Sequence, residues 1–174
     1  MGTQLNQNTG FKVNAGPYTY NGGLYTWGFG GDGGLGDGTT TDKNTPQKIG
    51  SLSTWSKIDY GYKSFVALKT DGTIWTCGYG DYGNLGNGTT IDYSSPIQVG
   101  SLNTWSKISH KNAHAAAIKT DGTLWTWGYN GSGQLGNNTS GSPANYNAYN
   151  YSSPDRKSTR LNPVTLESRM PSSA

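Results

Sequence analysis

The chain has 174 residues, of which 27 are Gly and 18 are Tyr or Trp, and only 13% are charged. That length allows one domain with a real core, and a glycine-rich, aromatic, weakly charged composition favours many short strands joined by tight turns. The formal charge of +3 comes mainly from residues 155–174; the preceding residues hold 9 Lys against 8 Asp, a net of +1, with no Arg or Glu, so no basic nucleic-acid surface is expected, and no window approaches the roughly 18 consecutive apolar residues of a membrane-spanning helix.

The opening "MGTQLNQNTGFKV" lacks the basic start and apolar run of a secretory signal. Asn6 stands where a myristoylation signal wants Ser or Thr. Residues 1–20 match the rest of the chain poorly, although "YNGGLYTWG" from Tyr20 takes the place of the later "TDGTIWTCG", so they are expected to belong to a preceding repeat unit. Next comes "LYTWGFGGDGGLGDGT" from Leu24, where Gly28, Gly30 and Gly33 spell G-x-G-x-x-G. A phosphate-binding version of that motif must follow a strand and open a helix whose amides face the anion. Here Leu35, Gly36, a Thr-rich turn and Pro46 follow instead. The stretch returns as "IWTCGYGDYGNLGNGT" from Ile74 and "LWTWGYNGSGQLGNNT" from Leu124, and the third copy puts Asn130 in the motif. The glycines are therefore read as backbone permitting close packing between repeat units.

Residues 24–73 align with 74–123 without a gap and with about half the positions identical; a third copy, 124–154, stops part-way after extra Asn, Tyr and Ser residues. The recurring positions are Trp27, Gly28, Gly33, Leu35, Gly36 and Trp55; Gly78, Gly83, Leu85, Gly86 and Trp105; and Trp127, Gly128, Gly133, Leu135 and Gly136. Cys77, the only cysteine, aligns with Trp27 and Trp127 and reads as core filler. "SFVALK" has period two, with Phe65 and Ala67 to one side and Val66 and Leu68 to the other. Asp71-Gly72 supplies a tight turn before a strand over Ile74–Cys77. "TWSKI" from Thr54 is a further short strand with Trp55 inward and Lys57 solvated, and Pro46–Ile49 a fourth. No stretch has helical spacing with caps. Four short strands per repeat indicate an all-β chain of antiparallel four-stranded sheets, the blades of a β-propeller.

"W-G-x-G-x-x-G-x-L-G", the later Pro, "W-x-K-I" and "L-K-T-D-G-T" resemble the repeat of the regulator of chromosome condensation family, over residues 21–154. The resemblance implies a seven-bladed propeller, of which this chain carries a partial one of about three blades. Open sheet edges then imply self-association. Family members include a nucleotide-exchange factor for a small GTPase, adaptors and an inhibitor of a β-lactamase. No position here matches the exchange factor's protruding loop.

After Pro154 the composition breaks: every Arg and the only Glu lie beyond it. "DRKSTRLN" is what the sequencing-library adapter GAT CGG AAG AGC ACA CGT CTG AAC encodes in one frame, and "SRMPSS" from Ser168 corresponds to TCT CGT ATG CCG TCT TCT further along it. Residues 155–174 are accordingly expected to be a non-native or disordered tail, and the third repeat to have continued in the natural protein.

No constellation of side chains asks for catalysis. His110 and His114 align with Tyr60 and Ser64 and fit the repeat pattern, without a recurring nucleophile and carboxylate. Asp71 and Asp121 occupy turn positions, and Asp32, Asp37, Asp81 and Asp92 show no repeated calcium-ligand spacing. Asn87, Asn138 and Asn150 begin glycosylation sequons. The expectation is a non-catalytic binding propeller without cofactor or metal, taking a protein or glycan partner, as in a viral or bacterial surface component; the alternatives are a guanine-nucleotide exchange factor and an enzyme inhibitor. The Tyr-, Asn- and Ser-rich loop from Asn138 to Tyr149, with Tyr146, Tyr149 and neighbouring Tyr151, is the candidate contact surface. Adding ATP, GTP or NAD should leave the thermal midpoint unchanged; a saturable rise abolished by Gly30→Val would reverse the reading of the glycines.

Overall fold

β-Branched and aromatic residues alternate with small or polar ones between Gly-containing turns, and each such run becomes a strand. The computed structural model describes residues 18–20, 22–51, 54–140 and 151–156. In chain order the strands are β1 (Tyr18–Tyr20), β2 (Gly23–Gly28), β3 (Lys43–Ile49), β4 (Trp55–Tyr60), β5 (Ser64–Lys69), β6 (Ile74–Gly78), β7 (Tyr93–Gln98), β8 (Trp105–Lys111), β9 (His114–Lys119), β10 (Leu124–Gly128) and β11 (Tyr151–Arg156). The only helical element among the described residues is a single 3-10 turn, Gly31–Gly33. It lies within the glycine motif and no helix follows it.

Three antiparallel sheets result, ordered β1-β2-β3, β4-β5-β6-β7 and β8-β9-β10-β11. Sheet and textual repeat are out of phase. Residues 24–73 supply β2 and β3 to the first blade, then β4 and β5 to the second. Counted from Leu24, the textual repeat spans the 50–54 connection that joins the two blades. β11 continues through Asp155 and Arg156, which pair with Thr126 and Trp125, so the strand runs across the compositional break after Pro154. The rest of the expected tail lies outside the described residues, as do residues 1–17.

The core sits between sheets. Leu24, Ile49, Trp55, Phe65, Ala67 and Cys77 form one buried cluster, joining the first blade to the second. Val66, Leu68, Ile74, Val99, Trp105, Ile108, Ala115, Ala117 and Trp127 form the other, joining the second to the third. The period-two reading of β5 holds: Phe65 and Ala67 enter one cluster, Val66 and Leu68 the other. Because both faces of the middle blade are covered, all six residues of β5 are buried. Lys57 is exposed along its stem, yet its Nζ donates to the Ile108 carbonyl of the next blade at 2.9 Å.

The long loops after β2 and β6 each reach onto the next blade. Gly38 N donates to Ser94 O at 2.8 Å, and Gly88 N to Ser152 O at 2.7 Å. A Cβ on Gly33 would lie 2.5 Å from Ser94 Cα, and one on Gly83 would lie 2.6 Å from Ser152 Cα. Gly36, with φ of 73°, presses on Cys77 and Phe65; Gly86, with φ of 71°, presses on Trp127. Leu35, Leu85 and Leu135 are buried in the same loops. In the third copy, by contrast, a Cβ on Gly136 would meet nothing within 4 Å among the described residues.

Gly86→Ala would place a Cβ 2.6 Å from Trp127 Nε1 at a positive φ, combining left-handed strain with overpacking, and should cost about 2–4 kcal/mol. Gly100→Ala, at φ of 61° but with nothing within 4 Å, carries the strain alone and should cost about 1 kcal/mol. Urea midpoints compare the two; equal losses would show that blade contact does not select these glycines.

Candidate functional site

The turns β4–β5 and β8–β9 and the long loops after β2, β6 and β10 meet at one end of the sheets. Aromatic side chains line up there. Tyr62 packs edge-to-face on Tyr79 with ring centroids 5.7 Å apart, Tyr79 on Tyr82 at 5.8 Å, and Tyr82 on Tyr129 at 5.2 Å. Phe29 extends the row, with Lys63 Nζ lying 5.4 Å from its ring centroid, 5.4 Å from that of Tyr62 and 5.8 Å from that of Tyr79. Lys63 is held in place by Asp32 at 2.7 Å, whose carboxylate raises the lysine's pKa above its ordinary value. The five rings span three blades.

Their backbone positions follow from the repeat. Phe29, Tyr79 and Tyr129 each follow the Trp-Gly or Cys-Gly end of β2, β6 or β10. That glycine turns the chain outward with φ near 100° in every copy: Gly28 at 101°, Gly78 at 103° and Gly128 at 97°. Tyr79 N then bonds back to Lys63 O at 3.1 Å, and Tyr129 N to Ala113 O at 2.8 Å, so both rings stand on fixed backbone. Phe29 and Tyr62 remain 43% and 51% exposed; Tyr79, Tyr82 and Tyr129 are half-buried. Desolvation first, then Asp81, which accepts from Tyr79 Oη at 2.8 Å, hold the Tyr79 phenol well above its ordinary pKa. The four tyrosines wall a cleft of about 360 Å³, with Asn112, His114 and Gln134 at its rim.

Sequence reasoning missed this row. Tyr62 and Tyr82 align with Asn112 and with Asp32 and Ser132, so comparing the copies hides them. The available signal was an excess of aromatics at non-repeating loop positions. Of the expected contact residues, Tyr146 and Tyr149 lie outside the described residues. Tyr151 stands at the start of β11, opposite Gly128 and packed against the second core cluster. The repeat tryptophans do something different. Trp127 is fully buried and donates Nε1 to Asn84 O at 3.0 Å; Trp55 and Trp105 are buried at the opposite end of the blades, while Trp27 is half-buried on the first blade.

The carboxylates weighed for metal or acid–base work are each engaged locally. Asp71 and Asp121 accept from the backbone and hydroxyl of Thr73 and Thr123. Asp37 holds Thr39 and Lys43, and Asp92 caps Gly80 N at 2.8 Å. No three His, Cys, Asp or Glu side chains gather among the described residues.

His110 and Ser64 do form a pair that a triad search would select, with Ser64 Oγ 2.9 Å from His110 Nε2. The neighbours assign the protons. His110 Nδ1 lies 3.1 Å from the His114 carbonyl and must donate to it, leaving Nε2 to accept from the serine hydroxyl. Asn84 Nδ2 donates to the same Oγ at 3.0 Å. Ser64 is fully buried and His110 nearly so, so no substrate reaches them. The pair is a polar pin between the second and third blades, reinforced by His110 N donating to Asp59 Oδ2 at 2.9 Å.

Burial lowers the His110 pKa from 6.5 to about 4. The unfolded chain therefore binds this proton more readily, and the stability due to neutral His110 is complete above pH 6.5 and drains away as pH falls towards 4. Acidification from pH 7 to 4 should destabilise the wild type by up to about 3 kcal/mol more than His110→Gln. Urea titrations of both at several pH values measure the difference; parallel curves would place the acid sensitivity elsewhere.

Comparison with known proteins agrees with this architecture. The family model described as Regulator of chromosome condensation (RCC1) repeat matches residues 21–68, 71–118 and 121–168, and a second model of the same repeat matches 55–84 and 105–134. No curated protein matches the chain. Among solved structures, human WBSCR16 superposes with a TM-score of 0.66 at 19% identity, over 82% of this chain and 35% of that one. Prp20p from Saccharomyces cerevisiae, reported with its binding to Gsp1p and histones, gives 0.64 at 19% identity, over 79% and 34%. Yeast RCC1 (Prp20) bound to Kap60 gives 0.64 at 18%, over 79% and 33%. The chain thus spans about a third of the length of these structures. It belongs to the regulator of chromosome condensation repeat family and folds as about three blades of its β-propeller.

Proposed function

We propose that this chain is a non-catalytic binding module that takes a protein partner on the loop end of its blades. The row of Phe29, Tyr62, Tyr79, Tyr82 and Tyr129 carries this reading. Tyrosine offers large rigid contact area with a hydroxyl for hydrogen bonding at little cost in conformational entropy. A row of such rings on a scaffold pinned by inter-blade contacts is a preorganised surface, which loses little freedom on binding. The similar yeast propellers are described with protein partners, Gsp1p and histones for one and Kap60 for the other. They lend support at the level of class.

A selection from a random peptide library on the immobilised full chain should enrich sequences whose affinity falls about tenfold or more with Tyr62→Ala. Leu102→Ala, which removes an exposed apolar side chain from the β7–β8 connection, should leave it unchanged. Enrichment insensitive to Tyr62, or none at all, would overturn the assignment of this face.

A further inference from the structure

From the geometry of the cleft between Tyr62, Tyr79, Tyr82 and Tyr129 we infer that its ligand is a proline-rich segment in the polyproline II conformation. The inference rests on the reading of this face as the binding surface and adds the chemistry of what it holds.

The first argument is shape. Successive rings meet at interplanar angles of 85°, 67° and 70°. In each edge-to-face contact one ring's face is covered by its neighbour's edge. The row therefore offers a series of angled notches and no broad flat platform. Flat sugar rings stack on open aromatic faces, whereas notches accept compact apolar wedges such as pyrrolidine rings. A polyproline II strand has three residues per turn and advances about 3.1 Å per residue, so the same face returns about every 9.3 Å, less than two ring-to-ring steps of 5.2 to 5.8 Å laid end to end. Prolines three residues apart can thus enter alternate notches, the P-x-x-P spacing by which aromatic-lined grooves read Pro-rich segments.

The second argument is charge and hydrogen bonding. The residues lining the cleft carry no formal charge; beside it, Lys63 is paired with Asp32, and the Asp81 carboxylate accepts from the Tyr79 hydroxyl. Burial, then nearby Lys111, favours the neutral form of His114 at the rim. A cationic or acidic ligand would find no counter-charge among the lining residues themselves. What the lining does carry is donors in the amides of Asn112 and Gln134. A polyproline II strand has no internal hydrogen bonds, so its carbonyls are all available; its prolines bring no N–H that would need an acceptor. A neutral donor-bearing groove is complementary to a neutral acceptor-rich ligand.

Tyrosine fluorescence of the full chain, titrated with an oligoproline peptide, a Gly-Ser peptide of equal length and cellohexaose, tests this. Oligoproline should give a saturable change, and the Gly-Ser peptide none. Tyr82→Ala should weaken oligoproline binding about tenfold or more, while Tyr82→Phe, which keeps the notch, should retain most of it; unchanged urea midpoints confirm that both variants fold. Saturation by cellohexaose alone would overturn the proline assignment and make the face a glycan surface. Silence from both ligands, or oligoproline binding indifferent to Tyr82→Ala, would overturn it too. Should the peptide library return Tyr62-dependent sequences without proline, this inference falls and the protein-binding role of the face stands.

Discussion

Everything in this fold depends on burial between sheets. A single blade has apolar residues on both faces and no interior of its own, so β5 is stable only because the first blade covers Phe65 and Ala67 and the third covers Val66 and Leu68. Burial of this kind is non-directional. What gives it a defined spacing is the set of close backbone approaches at Gly33 on Ser94, Gly83 on Ser152 and Gly86 on Trp127. These leave no room for a Cβ, and the amides of Gly38 and Gly88 bond across the same junctions. The hydrophobic term brings the blades together, and the glycine loops set how they stand.

Each blade is built from consecutive strands, and single connections, 50–54 between β3 and β4 and 99–104 between β7 and β8, join one blade to the next. The loops after β2 and β6 pack on the blade whose strands begin one strand later in the chain. Ordering one blade thereby positions the next, as expected of architectures whose stability resides in nearest-neighbour interfaces. The buried Ser64–His110–Asn84 group belongs to this economy. Placed between sheets, with both ring nitrogens of His110 and the Asn84 amide nitrogen hydrogen-bonded, it fixes relative position, and its resemblance to a catalytic pair is a by-product of where a neutral histidine can be hydrogen-bonded.

Legibility in the sequence divides along the same line. Strand periodicity, the Asp71-Gly72 turn and the inward Trp55 were readable because each is decided within a few residues and then written again 50 positions later. The pairing of strands into sheets was not, since the repeat supplies four strands whichever way they are divided between blades. The aromatic row was hidden for the converse reason. Phe29, Tyr79 and Tyr129 look like variations at one repeat position, and Tyr62 and Tyr82 have no aromatic counterparts at all, so aligning the copies averages them away. Only the fold shows that turns from one blade and loops from its neighbours rise at the same end.

That contrast separates two kinds of residue in a repeat protein. Positions that recur are answerable to the blade–blade interface, because every junction imposes the same spacing; Leu35, Leu85 and Leu135 are buried alike. Positions that differ among copies at the loop end are released from that demand, and there this chain places tyrosines at Tyr62 and Tyr82 and a lysine at Lys63, paired to Asp32. The same rings in the strands would have been consumed as core. Set on loops whose backbone the interface already holds rigid, they keep a wall turned to solvent. A rigid surface of this sort discriminates by shape, and shape is what an edge-to-face row of tyrosines supplies.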